Sequence, residues 1–475
     1  MILLYLTGSV LIALCMFLNT NRRVNRMLIA GFLVLQWIWS VYSLTHKNVP
    51  EYIFFIPDAL SILMTVTLSI ISIPALVHSY DYIYPEHDNP RVRGIYFGSM
   101  VVLIMSLTAA YVASHIAVTW IFVEITTLSA SALIFHRRNS GSIEATWKYI
   151  FVCSISLVFV FIGILFLSIA LGDIRENDMQ YSILLRVAPS LNTFWLKLAF
   201  IFIFIGYTAK LGLIPMYTAG IDAKDKAPSP AAALFSSVLM NVGFVGVFRC
   251  YEVLAHTSIH KWVDQVMLTT AFLSIFVAAV YMLKVKNVKR MLAYSSIEHM
   301  GIVILALAAG GIGYYAAILH LILHSFAKSS LFLQVGHLYK TFRSKNIYSI
   351  GNYFRYNVPG AVLILFGFIC ITAMPPSGMF ISELMVFRAL IGSGYTGILI
   401  LMLILLTLIV WAMGKNIFKM LFIPVPGRED LHVEAVSPYE TLLQYLLLAL
   451  VVYLGIAPPA GFADLIKESI INLNH

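Results

Sequence analysis

Charge is what this sequence has least of. Among 475 residues only 11% are Asp, Glu, Lys or Arg, while 60% are hydrophobic and the mean hydropathy is +0.89. A soluble domain carries ~25% charged residues, so one water-soluble core is excluded, and the wealth of Leu, Ile, Val and Phe excludes disorder. Cysteine is scarce as well. Cys15, Cys153, Cys250 and Cys370 stand far apart without a Cys-x-x-Cys pair, which speaks against an iron–sulfur cluster or a thiolate zinc site. Each lies in or beside an apolar run and reads as an inert buried thiol. Nucleotide-binding motifs are missing too, so no cofactor and no metal is expected. The first run, Met1 to Thr20, lacks a basic n-region and a small-residue cleavage site and reads as a retained span.

What remains is a series of apolar runs of about 20 residues, the length that crosses a bilayer as a helix. About fourteen are readable, at 2–19, 27–45, 52–79, 94–113, 115–136, 147–171, 193–218, 228–252, 262–284, 290–311, 313–339, 357–391, 394–422 and 438–458. The expected fold is an all-α polytopic membrane protein, and the longest polar connection, Gly172 to about Asn192, leaves no soluble domain. Lys and Arg divide 21 to 7 between connections after odd-numbered and even-numbered spans. The basic set, which includes Lys224 and Lys226, belongs in the cytoplasm and both termini outside. The net charge of +9 is therefore a topology signal and does not point to nucleic acid.

Two runs contain breaks. The seventh carries Gly212-Leu213-Ile214-Pro215, and the twelfth carries Met374-Pro375-Pro376-Ser377-Gly378. Proline removes a backbone donor, and in lipid such a break survives only where protein or water satisfies the freed groups. The breaks sit five spans apart. Because five is odd, a copy displaced by five spans has opposite topology, so two inverted five-helix repeats are expected, spans 4–8 and 9–13. This divides the chain into flanking spans 1–3 (residues 1–90), a first repeat (91–255), a second repeat (256–425) and a last span with its tail (426–475).

An ionisable side chain at the bilayer centre costs ~2.5–3.5 kcal/mol on insertion scales. Here there are several: Glu124 in the fifth span, Lys210 before the seventh-span break, His320, His324 and Lys328 in the eleventh, and Glu383 after the twelfth-span break. Asp58 lies early in span three, and Glu298 and His299 lie in span ten. The histidines and Lys328 follow at i, i+4 and i+8, on one helix face. A single such residue reads most simply as a paired charge or polar interhelical contact. The set, alternating acids, amines and imidazoles over both repeats, reads as a proton relay, because burial brings Lys and Glu toward neutral titration and histidine is already there. Two histidines four apart can also ligate zinc, but Lys328 follows on the same face, and Leu321 stands where a metalloprotease helix needs Glu.

The stretch Lys289-Arg290-Met291-Leu292-Ala293-Tyr294-Ser295-Ser296-Ile297-Glu298-His299-Met300-Gly301 resembles the signature that opens a span in antiporter-like proton-translocating subunits. These occur in complex I, Mrp antiporters and the hydrogenase-4 group. Ala227-Pro228-Ser229-Pro230, His324-Ser325-Phe326-Ala327-Lys328, Asp58-Ala59-Leu60-Ser61 and Glu144 with Lys148-Tyr149 fit the same pattern, from about Asp58 to Phe387. The Ser-Ile-Glu-His-Met-Gly wording and the short stretch after the last run resemble hydrogenase-4 component F most. The resemblance implies that Glu124 pairs with Lys210, that His320, His324 and Lys328 connect the halves, and that Glu383 ends the relay. Two departures are plain. Tyr217 replaces the usual histidine after the break, and Ser236 takes the place of an eighth-span histidine.

The resemblance thus implies a proton-translocating, non-catalytic subunit of a multi-subunit oxidoreductase complex in the cell membrane of a prokaryote. Its partners would be the lipid bilayer, membrane subunits of the same family, and peripheral redox subunits with a NiFe or quinone-reducing module. The rival readings are a redox-independent cation/proton antiporter or ion-uptake subunit, and a scaffold that does not pump.

Overall fold

The computed structural model describes residues 1–86, 89–172, 179–425 and 438–473. Arg175 and Arg428, counted above for topology, fall outside the described residues. Within them the chain is helical, and extended pairing is confined to isolated bridges. The helices are α1 (Ile2–Leu18), α2 (Arg22–Thr45), α3 (Ala59–Glu86), α4 (Pro90–Val112), α5 (Ile116–Phe135), α6 (Ser140–Leu171) and α7 (Tyr181–Val187). Then come α8 (Thr193–Leu211), α9 (Thr218–Lys226), α10 (Ser229–Phe235), α11 (Val238–Ala255), α12 (His260–Met282), α13 (Val288–Ala309) and α14 (Ile312–Phe342). The last are α15 (Tyr353–Tyr356), α16 (Val358–Ile371), α17 (Gly378–Gly392), α18 (Thr396–Phe422), α19 (Pro438–Ile456) and α20 (Ala460–Ser469).

Eleven helical segments among the described residues are long and apolar enough to cross a membrane, with α10 and α11 counted as one. The pair α19 and α20, bent by 72°, makes a twelfth. Two of the fourteen expected runs fall short of that length. The 17 residues of α1 rise only ~26 Å, less than the ~30 Å of a bilayer core. The run at 357–391 is cut by its prolines into α16 and α17.

Asparagine starts many of these helices. Asn21, Asn89, Asn139, Asn192 and Asn287 each accept a first-turn N–H of α2, α4, α6, α8 or α13, satisfying donors that a helix leaves orphaned, for about 1 kcal/mol apiece. Both expected breaks are present. Gly212, at φ +77°, ends α8 in the left-handed region that glycine alone enters freely, and residues 372–377 separate α16 from α17. A third break parts α10 from α11 without a proline. Ser237 stands there at φ −123°, ψ −98°, its hydroxyl donating to Ala233 O at 2.7 Å in competition with the backbone ladder.

Layering follows from composition. Helices α10, α11, α13 and α14 are almost wholly enclosed by their neighbours, whereas α2, α6, α12 and α18 turn apolar faces outward, with Trp147, Phe151, Leu401 and Trp411 exposed. Apolar faces of this size suit lipid or a partner subunit. At one end of the bundle, α9 is tied down by charge. Arg290 bonds Asp222 at 2.5 Å and Asp225 at 3.3 Å, while Lys345 lies 3.4 Å from Asp225 and donates to its carbonyl at 2.5 Å. Burial alone would raise the Asp225 carboxyl, but Lys345, the Asn287 amide, Lys226 and Lys289 hold it below its ordinary 3.8. Lys224, assigned above to a polar connection, is instead only 4% exposed. The other face of α9 carries the ion network, and this one turns inward.

Candidate functional site

Helix α14 runs unbroken through the interior and carries His320, His324 and Lys328, all fully buried. His299 on α13 meets both histidines, with ring centroids 5.2 Å from each and its Nδ1 3.1 Å from His320 Nε2. The other ring nitrogen of His320 lies 2.8 Å from Ser382 Oγ on α17, and Glu383 is the next residue. A Glu383 carboxylate oxygen and ring nitrogens of His299 and His320 all fall within 4.8 Å of one another. Lys328 donates to Leu292 O at 2.8 Å and to Ser295 Oγ. Glu298 is buried within electrostatic range of both Lys328 and Glu383. Among the described residues, neither nitrogen of His324 has a hydrogen-bond partner. A buried imidazole left so costs ~1–3 kcal/mol.

Lys210 occupies the last turn of α8, beside the break. Its Nζ donates to Thr127 Oγ1 at 2.8 Å and Thr126 Oγ1 at 3.2 Å, both on α5. Helix α11 packs directly on it. A Cβ at Gly243 would sit 2.9 Å from Lys210 Cβ, so this approach requires glycine. The expected Glu124–Lys210 ion pair is not closed. Among the described residues no carboxylate lies within 4 Å of Lys210, although Glu124 remains in its field. Glu124 Oε1 accepts a 3.5 Å bond from Ser154 on α6, and Oε2 is enclosed without a partner among the described residues. The physical reason is that the threonine hydroxyls, two and three residues along the same helix, reach the amine first.

Between Lys210 and α14 lies a polar seam of which the sequence singled out Ser236 alone. Asn241 and Ser325 bond each other reciprocally at 3.0 and 3.1 Å, and Ser329 donates to Ser237 at 3.0 Å. Ser236 is buried beside them with no partner for its hydroxyl among the described residues. Lys224 joins the seam through Met240 Sδ at 3.1 Å. The signal for Ser325 was its place between His324 and Lys328. Asn241 and Lys224 carried none.

Asp58 is not part of this group. It precedes α3, pairs with Arg249 on α11 and lines a separate cavity of about 290 Å³ with Glu252, Asn472 and Ser114. The zinc alternative also moves. The acid and imidazoles that converge are His299, His320 and Glu383 rather than the His320/His324 pair, and the bonds from His299 and Ser382 engage both ring nitrogens of His320. That arrangement suits proton exchange better than ligation.

Residues 113–409 match the family model described as NADH:quinone oxidoreductase/Mrp antiporter, TM. A hydrogenase-4 component F homolog of Methylacidiphilum infernorum is 30% identical over 77% of this chain and 79% of its own. The fold is shared with a chain of an archaeal membrane-bound sulfane sulfur reductase (TM-score 0.88, 20% identity, 99% of this chain and 97% of that one). It is shared also with one from the Mrp complex of Dietzia sp. DQ12-45-1b (TM-score 0.87, 14% identity, 100% and 97%). With the matched region spanning both helix breaks and every buried amine and imidazole described above, the chain belongs to the antiporter-like membrane family of NADH:quinone oxidoreductases and Mrp antiporters.

Proposed function

We propose that this chain is the proton-translocating subunit of a multi-subunit redox complex, hydrogenase-4-like or quinone-reducing, with the redox chemistry in partner subunits. The observation that carries the reading is the set of buried titratable and hydroxyl groups on adjoining helices: Lys210 on Thr126 and Thr127, Asn241 on Ser325, His324 and Lys328 along α14, and His320 on His299 and Ser382 beside Glu383. On this reading Lys210 is loaded when Glu124 swings toward it and unloaded when Glu124 withdraws. Its proton then moves along α14 and leaves past Glu383. One pKa unit is ~1.4 kcal/mol, so a carboxylate shift of a few ångströms suffices to gate the step.

Adding α1, the broken α16–α17 and the bent α19–α20 to the eleven long segments supports fourteen spans. We read them as flanking spans over 1–90, inverted repeats over 91–255 and 256–425, and a final span over 426–475, with basic connections in the cytoplasm of a prokaryote and both termini outside. Asp58 belongs to an ion cluster at the outer end. Partners would be membrane subunits of the same kind and a peripheral redox module. The likeness to an Mrp chain supports a second reading, a redox-independent cation/proton antiporter subunit.

Lys210→Met in the assembled complex tests the assignment. Proton movement into vesicles should stop while electron transfer persists. Undiminished proton movement refutes it, and sodium flux without any redox partner would favour the second reading.

A further inference from the structure

The proposed path has a gap on the eighth span. From Ser229 to Phe248, α10 and α11 present no titratable side chain, yet this stretch separates Lys210 from α14. The structure brings one in from elsewhere. Lys224 on α9 is 4% exposed and points away from the Asp222–Asp225–Arg290–Lys345 network that holds the opposite face of its helix. Its Nζ meets Met240 Sδ, and the end of that Met240 side chain lies beside Gly212, two residues past Lys210. His324 and Lys328 lie within electrostatic range of Lys224. The acids of α9 are taken. Asp222 bonds Arg290 and lies 3.8 Å from Lys148, and Asp225 is engaged by Arg290 and Lys345.

We infer that Lys224 is a proton-carrying member of the relay, handing protons between Lys210 and the His324/Lys328 pair in place of a titratable group on the eighth span. The inference rests on the translocation reading above. An ordinary lysine at a helix end snorkels its ammonium to water; this one is turned into the protein against a thioether, a weak acceptor for three N–H donors. Among the described residues no carboxylate stands within 4 Å of it to hold the charge permanently. Helix α9 lies outside the spans, and burial without a counter-ion pulls the Lys224 amine down to about 7, where it both gives and takes protons under working conditions. Its one close side-chain contact among the described residues is the neutral Met240 on α11, with His324 and Lys328 on α14 within electrostatic range. Of the charges that α6 and α13 bring to α9, Lys148, paired with Glu144, and Arg290 engage Asp222, and the buried Lys289 donates to Ala227 O at 2.8 Å and acts on Asp225.

The test uses the whole complex in proteoliposomes, following proton uptake with a pH-sensitive dye while the redox reaction runs. Lys224→Met keeps side-chain length and removes an uncompensated buried charge, so assembly should persist and translocation should fall at least about tenfold. Lys224→His should restore part of the rate, with its pH profile displaced toward acid. A wild-type rate in the Met variant, or a His variant no better than Met, overturns the assignment. Failure of both variants to assemble also overturns it, by making Lys224 structural. Lys210→Met run alongside separates the two claims. If it stops translocation and Lys224→Met does not, only the role of Lys224 falls; if neither matters, the translocation reading falls as well.

Discussion

Replacing Arg249 by methionine should loosen the end of the bundle where Asp58 and Glu252 converge. The guanidinium bonds Asp58 and lies 3.9 Å from Glu252, with side-chain exposures of 11% for Arg249, 29% for Asp58 and 6% for Glu252. Without it, two carboxylates share a cavity of about 290 Å³, supported among the described residues by Ser61 N–H on Asp58 and Asn472 on Glu252. Breaking a buried ion pair by removing one member costs ~3–5 kcal/mol. Because Asp58 is partly wetted, screening lowers this to ~2–3 kcal/mol, or a 30- to 150-fold rise in the open population at about 1.4 kcal/mol per decade. Cys250, the next residue, is a buried free thiol and reports opening directly through its rate of alkylation. The background should carry Cys15→Ser, since Cys15 is exposed. The triple variant Asp58→Asn, Arg249→Met, Glu252→Gln should label nearly as slowly as the parent, because it strands no charge. Wild-type labelling of Arg249→Met, or a triple variant as reactive as the single one, would refute the reasoning.

Two further outcomes follow from packing and charge. Gly243→Val should lower stability by ~1–3 kcal/mol through overpacking and abolish proton translocation, because its Cβ would press on Lys210 at 2.9 Å and pull the amine from Thr126 and Thr127; a fully active variant would show that Lys210 needs no such placement. Asp225 is held below 3.8 in the folded state, so its contribution is present above that pH and is lost as pH falls through the depressed folded value. Asp225→Asn should therefore flatten the acid limb of a stability-versus-pH curve measured by thermal melting, leaving a smaller acid-dependent loss than in the parent.

The membrane class, the two proline breaks and the buried Lys210, Lys328, His299, His320 and His324 were legible in the sequence, because each breaks a rule of apolar composition that lipid enforces. The third break was not. Ser236-Ser237 sits in an apolar run without proline, and the Ser237 backbone leaves the helical region there while its hydroxyl bonds Ala233 O. Lys224 was hidden by its neighbours. In Asp222-Ala223-Lys224-Asp225-Lys226 every charge looks solvated, and only tertiary packing decides that one of them faces inward. Family resemblance pointed to Glu124 as the partner of Lys210, but which hydroxyl or carboxylate an amine reaches depends on helix rotation, which no local pattern fixes. Asp58, by contrast, was noticed for its charge, and its partner Arg249 lies 191 residues away.

Helix α14 has 31 residues and no break, while the α8–α9, α10–α11 and α16–α17 segments of the bundle are all interrupted. Its three titratable positions are thus graduations on a rigid ruler, set ~6 Å apart by covalent geometry. The surrounding backbone can hinge; the ruler cannot. Inserting one residue after Ala316 would swing every later position by ~100° and uncouple the whole scale at once, whereas the same insertion in the connections beside α9 need only move one station.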